Sequence, residues 1–250
     1  MTGTSSTGGS AEPSFDAYSD RYEEAVSRAV AFSGQEHSFF MSVKAHKLLA
    51  LVERCLGAPG EVRALDLGCG TGGLHPFLAP RLGALVGADP STGSIATAAE
   101  RGSGSSLVGF DGRYLPFHSS SFDLVVVQCV LHHVPPPSRT ALVAEAVRVL
   151  RPRGLLTVIE HNPFNPLTRL AVSRCEFDRD ARLLRASETR RLLRRAGLAV
   201  AASDYFLFTP WRSRAFRRLE EGIGWLPLGA QYLVAGRVAG RSAGERSADV

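Results

Sequence analysis

The chain has 250 residues, of which 44% are hydrophobic and 21% charged, and its formal net charge is +5. These are ordinary values for a globular protein with a sizeable core, and they exclude a disordered or fibrous chain. No run approaches the roughly 20 apolar residues that span a bilayer. The Gly/Ser/Thr-rich start lacks the basic and apolar regions of a signal peptide, so a cytoplasmic protein is expected.

Residues 1–14 cannot bury apolar surface and are expected to be disordered. From 15 the pattern turns helical. Tyr18, Tyr22, Val26 and Val30 recur near helical spacing, and Ser33 and Gly34 interrupt them. A second amphipathic run passes through Phe39, Val43, Leu48 and Val52, which predicts two or three helices ahead of the first strand.

Strands and helices then alternate. Strands are predicted at 63–67, 84–88, 107–110, 122–128 and 155–160. Helices are predicted at 73–81, 92–101 and 138–150, the last with Ser138 as N-cap. The continuous apolar run at 122–128 suits a central strand buried on both faces. After a helix-rich insertion near 163–186, a helix is predicted at 187–196 with Gly197 ending it, followed by strands at 200–208 and 231–238. This β-α-β rhythm predicts a parallel, doubly wound α/β sheet closed by an antiparallel terminal pair.

The first strand meets its helix at Leu65, Asp66, Leu67, Gly68, Cys69, Gly70, Thr71 and Gly72. Glycines allow a tight turn and close approach of a ligand, which then faces the amides of the following helix. Gly68, Gly70 and Gly73 also satisfy the dinucleotide pattern G-x-G-x-x-G, with Asp89 as the ribose-binding acid. An NAD-dependent oxidoreductase is therefore one reading. Two further acids favour another. Asp66 lies inside the first strand, where a carboxylate can hold the ammonium of a methionyl group. Asp111 ends the third strand, where it can accept from an adenine amine. Three acids on three successive strand ends suit an amine, a ribose diol and an adenine, and suit a pyrophosphate poorly.

Taken together the motifs resemble those of a class I S-adenosylmethionine (SAM)-dependent methyltransferase of the small-molecule, type 11-like group. Besides the glycine loop, the resemblance rests on Gly87, Ala88, Asp89 and Pro90, on the run from Asp111 to Phe117, on Ser121, Phe122, Asp123 and Leu124, on Val130, Leu131, His132, His133 and Val134, and on the run from Leu150 to Leu155. It implies a Rossmann-like seven-stranded sheet in the order 3-2-1-4-5-7-6, strand 7 antiparallel, with N-terminal helices covering the cofactor. Asp66, Gly68 and Gly70 would line the methionine end, and Asp89 the ribose. Pro90, Asp111 and Gly112 would surround the adenine, and Gln128 would lie near the sulfonium. One domain over 15–240 is expected: a helical cap at 15–60, a SAM-binding core at 61–160 and an acceptor side at 161–240, with a flexible tail at 241–250.

Methyl transfer from a sulfonium needs in-line placement and, for a hydroxyl acceptor, a base. His132 and His161 are the candidate base or positioning residues. His133, Glu160, Asn162, His37, Tyr18 and Tyr22 stand near the same expected pocket. The Asn162–Pro163 and Asn165–Pro166 steps force extended backbone and read as a pocket wall or a rigid connector. No clustered ligand set predicts a metal. Cys55, Cys69, Cys129 and Cys175 form no C-x-x-C pair and should be free thiols, with Cys69 and Cys129 in packing roles.

The expected acceptor is a small molecule methylated at oxygen or nitrogen: a sugar, a natural-product intermediate or a lipid-linked precursor. From 169 to 218 arginine is dense, opposed only by Glu176, Asp178, Asp180, Glu188 and Asp204. An anionic acceptor is one reading of this run, and solvated helix faces are the other. An RNA methyltransferase is a further alternative, although no RNA-binding module is visible, so a nucleic-acid partner is not expected. The 211–225 stretch mixes arginines with Phe216, Leu219 and Ile223 at helical spacing, which fits a membrane-surface helix or a pocket lid.

Overall fold

The computed structural model describes residues 22–178, 180–209, 220 and 222–238. The expected tails at 1–14 and 241–250, Tyr18 and the 211–219 part of the amphipathic stretch lie outside those residues.

Two helices precede the sheet, as the periodicity predicts. Helix α1 (Tyr22–Val30) ends in a 3-10 turn that Gly34 closes at φ 67°. Helix α2 (His37–Cys55) buries Met41, Ala45, Leu48 and Val52, one apolar stripe at helical spacing.

The alternating region follows as β1 (Arg63–Leu67), α3 (His75–Leu78), β2 (Ala84–Asp89), α4 (Thr92–Glu100), β3 (Ser106–Gly109), β4 (Phe122–Gln128), α5 (Arg139–Val149) and β5 (Leu150–His161). Helix α6 (Pro166–Arg174) occupies the insertion, and α7 (Ala186–Arg195), β6 (Leu198–Phe206) and β7 (Gln231–Val238) complete the chain. The sheet runs β3-β2-β1-β4-β5-β7-β6. Strand β7 is antiparallel to both β5 and β6, and the other pairings are parallel.

Apolar side chains pack on both faces of the sheet. Val126 joins Leu48 of α2 and Leu74 and Leu78 near α3 on one face. Its neighbours Val125 and Val127 join Val143 of α5 and Leu193 of α7 on the other. Adjacent strand residues point to opposite faces, so a strand covered on both sides must be apolar throughout. Each fully buried aliphatic side chain contributes about 1.5–3 kcal/mol. The result is a rigid platform whose strand order reverses between β1 and β4, opening a crevice at the carboxyl ends of the strands.

Three local expectations change. Helix α3 is one turn, because Gly72 at φ 72° delays its start and a 3-10-type bond from Arg81 N to Leu78 O tightens its end. Strand β5 begins at Leu150, not 155. Leu150 pairs with Phe122 and Leu155 with Leu124, so the intervening residues bulge out around Arg153 at φ 68°. Ser138 has α-region dihedrals and makes no side-chain cap. Ser91 and Asn165 do cap their helices, accepting from Ser94 N and Thr168 N.

Candidate functional site

The glycine loop after β1 is held by Ala88 O, which accepts from both Gly68 N and Cys69 N. Gly68 and Gly70 have φ of 75° and 52°. A Cβ on Gly68 would lie 2.5 Å from Val130 Cγ2, whereas one on Gly70 would meet nothing within 4 Å. One glycine is thus required by packing, and the other leaves open space above the loop.

Asp66 is 2% exposed, and its Oδ1 has no hydrogen-bond partner. Its Oδ2 lies 3.3 Å from Nε2 of the fully buried His75, whose Nδ1 is 2.7 Å from Ser105 Oγ. An unsatisfied buried carboxylate oxygen is costly and suits a ligand cation. Asp89 is oriented by two amides: Ser91 N donates to Oδ1 and Gly70 N to Oδ2. Asp111 is exposed, and its Oδ1 accepts from Tyr114 N and Arg113 N, which hold its carboxyl below the usual range. Pro90 and Gly112 are neighbours, since a Cβ on Gly112 would lie 3.9 Å from Pro90 Cβ. The three acids lie on or just after three adjacent strands, β1, β2 and β3. The sequence did not place His75 beside Asp66, because the two meet only when the loop folds back.

Beyond β4 and β5 lies a cavity of about 250 Å3. Val26 and Val30 of α1 and Ala171 and Val172 of α6 give it apolar walls, while Gln128, Lys44 and His161 supply polar groups. Asn162 does not line it. The Asn162 side chain ties the chain to Pro227 O and Gly229 O, and Asn165 Nδ2 donates to Leu228 O. The Asn-Pro steps thus brace the loop before β7, and Asn165 also reaches the cavity wall.

At the floor, His132 Nδ1 is 2.5 Å from Oε2 of Glu160, which is fully buried. The other oxygen of Glu160 accepts from Val130 N and Leu131 N. Asp178, brought in after α6, places Oδ1 3.3 Å from His132 Nε2 and 3.4 Å from His133 Nε2. Burial disfavours charge on His132, but Glu160 and Asp178 outweigh it and raise its pKa. Burial likewise opposes ionisation of Glu160 and Asp178, and the histidines outweigh it, setting Asp178 at about 2. Burial and the charge on His132 lower His133 to about 4.

Cys129, at φ 55°, stands apart from the other thiols. Its Sγ lies 3.7 Å from both Lys44 Nζ and Gln231 Nε2. Burial pushes this thiol up, but Lys44 and His161 outweigh it and bring it down to about 6. Burial instead pushes Cys69 far up and Cys175 to about 11, in keeping with packing. All four cysteines are free. His161 lines the cavity, with Nδ1 3.4 Å from Gln231 Nε2.

The sheet order, the antiparallel seventh strand and the acids on successive strand ends define a nucleoside-cofactor fold of the methyltransferase type. Residues 65–158 match the family described as "Methyltransferase domain". A ubiquinone biosynthesis O-methyltransferase from Xanthomonas axonopodis pv. citri is 33% identical over 174 residues, covering 63% of this chain and 71% of that protein. A demethylmenaquinone methyltransferase from Beutenbergia cavernae is 40% identical over 118 residues, 46% of this chain and 48% of that protein. The chain thus spans about half the length of that second relative. A solved SAM-dependent methyltransferase from Thermotoga maritima, described as a possible histamine N-methyltransferase, shares the fold with TM-score 0.62 at 22% identity, over 89% of this chain and 97% of that one. The chain belongs to the class I SAM-dependent methyltransferases. Its cofactor is S-adenosyl-L-methionine, and the dinucleotide reading of Gly68, Gly70 and Gly73 is set aside. Among the described residues no helix is long and apolar enough to cross a membrane.

Proposed function

We propose that this methyltransferase acts on oxygen or nitrogen of an apolar small molecule, and that a ring hydroxyl on a lipid-linked, quinone-type precursor is the acceptor class. The observation that carries this reading is the cavity beside Gln128, largely apolar along α1 and α6, with polar groups contributed mainly by α2 and by the ends of β4, β5 and β7. Phe32 and Leu167 line it and are also exposed at its mouth, which suits a hydrophobic tail better than a sugar. Two of the relatives carry names from ubiquinone and menaquinone methylation.

The cofactor, when bound, supplies a methyl group already activated on a sulfonium. We assign Asp66, Gly68 and Gly70 to its methionyl end, Asp89 to the ribose, and Pro90, Asp111 and Gly112 to the adenine, with Gln128 near the sulfur. The unpartnered Oδ1 of Asp66 supports the first assignment. Lys44 is 3% exposed and is the one lysine or arginine among the described residues lining the cavity. It would hold an acceptor oxygen in its anionic form. His161 would take the proton, and His132, locked to Glu160, would position the turn after β4. On α7, Arg191, Arg194 and Arg195 are exposed while Thr189 and Leu193 are buried, the pattern of a solvated helix face.

The test is transfer of labelled methyl from SAM to matched acceptors. Prenylated phenols and hydroxyquinones should be methylated. Transfer to sugars alone would overturn the reading.

A further inference from the structure

We propose that His132, His133 and Asp178 bind one divalent transition-metal ion, of the Zn2+ class, at the floor of the cavity. One donor atom from each of the three residues lies within 4.8 Å of the other two. The two nitrogen–oxygen separations are 3.3 and 3.4 Å. A charge-assisted hydrogen bond between such groups is about 2.7–2.9 Å long. Two ligands of one tetrahedral ion, each bonded at about 2.1 Å, stand about 3.4 Å apart. Both nitrogen–oxygen separations match that of two ligands on one ion.

The outer groups fit as well. Metal-bound histidines ordinarily give their second ring nitrogen to a carboxylate, which fixes the ring and the tautomer. Here Glu160 Oε2 takes His132 Nδ1, and Val130 N and Leu131 N fix Glu160 in turn. Nε2 faces Asp178 Oδ1, where an ion would stand between them. Glu160 and Asp178 bring two carboxylates into a mostly buried site, and a dication balances both. Two imidazoles and one carboxylate are a donor set for borderline ions rather than for Ca2+ or Mg2+. All three ligands border the cavity, so the remaining coordination positions face whatever enters it. The use of the site rests on the acceptor reading above: an acceptor oxygen bound there would lose its proton more easily. Binding of the ion itself does not depend on that reading.

The full chain, stripped with chelator and dialysed, is titrated with ZnCl2 by calorimetry and with CoCl2 by visible absorption. One equivalent should bind, and Co2+ should show the intense bands of a four- or five-coordinate site. His133→Ala and Asp178→Asn should each weaken Zn2+ binding at least about tenfold. Both should leave S-adenosylhomocysteine affinity unchanged, which shows that the variants fold. Absence of stoichiometric binding, or binding that neither substitution weakens, overturns the site. If Zn2+ binds at these residues while no apolar acceptor is methylated, the acceptor reading fails and the metal site stands.

Discussion

His132 and Glu160 join the turn after β4 to the end of β5 through a 2.5 Å contact between Nδ1 and Oε2, at a point where both residues are buried. A buried pair of this kind is weak evidence of net stability, but losing one member is costly, because the other charge is left uncompensated. Glu160→Gln and His132→Asn should each lower the unfolding free energy of the metal-free protein by about 3–5 kcal/mol. The double variant should cost clearly less than the sum, since the two share one interaction. Urea denaturation of the four proteins measures this, and strictly additive losses would count against coupling.

The thiol of Cys129 should titrate near pH 6. The groups facing it are Lys44 on α2, His132 after β4, His161 and Glu160 on β5, and Gln231 on β7. The folded value lies below the ordinary thiol value of 9.0, so ionisation favours the folded state above that value. This contribution is lost as pH falls through about 6. Alkylation by iodoacetamide, read cysteine by cysteine in a mass spectrometer, should reach half its maximal rate at Cys129 near that pH. Cys175, pushed by burial to about 11, should stay slow. Lys44→Met removes the largest opposing charge and should move the Cys129 midpoint upward. A midpoint near 9 in the unsubstituted protein would contradict the geometry.

Asp66 is expected to affect binding rather than stability. Its Oδ1 has no partner within the fold, so Asp66→Asn removes a charge that nothing fully compensates. A charge-assisted hydrogen bond contributes about 1.5–3 kcal/mol. S-adenosylhomocysteine should therefore bind roughly 10- to 100-fold more weakly, with the urea midpoint unchanged or raised. A variant that unfolds more easily yet keeps its affinity would show that Asp66 serves the fold alone.

What could be read from the sequence follows from how local each feature is. The placement of Asp66, Asp89 and Asp111 on or just after β1, β2 and β3 could be read from the sequence, because each accompanies a short apolar strand run and the turn after it. The sheet order came from the resemblance and agrees with the structure, down to β7 lying antiparallel between β5 and β6. Asp178 was not legible as a partner of His132, because the insertion carrying it has no periodicity that fixes where it returns. Lys44 read as part of an amphipathic helix, and only packing of α2 over the strand ends makes it a buried cation. Cys129 read as a small packing residue, since its neighbours Lys44 and Gln231 come from distant segments.

Gly68 and Gly70 separate packing from binding within one loop. Both have positive φ, so alanine at either position incurs backbone strain of about 1–2 kcal/mol. At Gly68 the added methyl would also stand 2.5 Å from Val130 Cγ2, and Val130 belongs to the turn whose amide Glu160 fixes. Gly68→Ala should therefore cost about 1–3 kcal/mol more through overpacking. At Gly70 the methyl meets nothing and projects into the open space above the loop. Gly70→Ala should lose little stability beyond the strain and most of its S-adenosylhomocysteine affinity, because it occupies room the cofactor would need. Paired urea and calorimetric titrations of the two variants decide the matter. A Gly70→Ala variant that keeps its S-adenosylhomocysteine affinity would mean that the space above Gly70 is not the cofactor's.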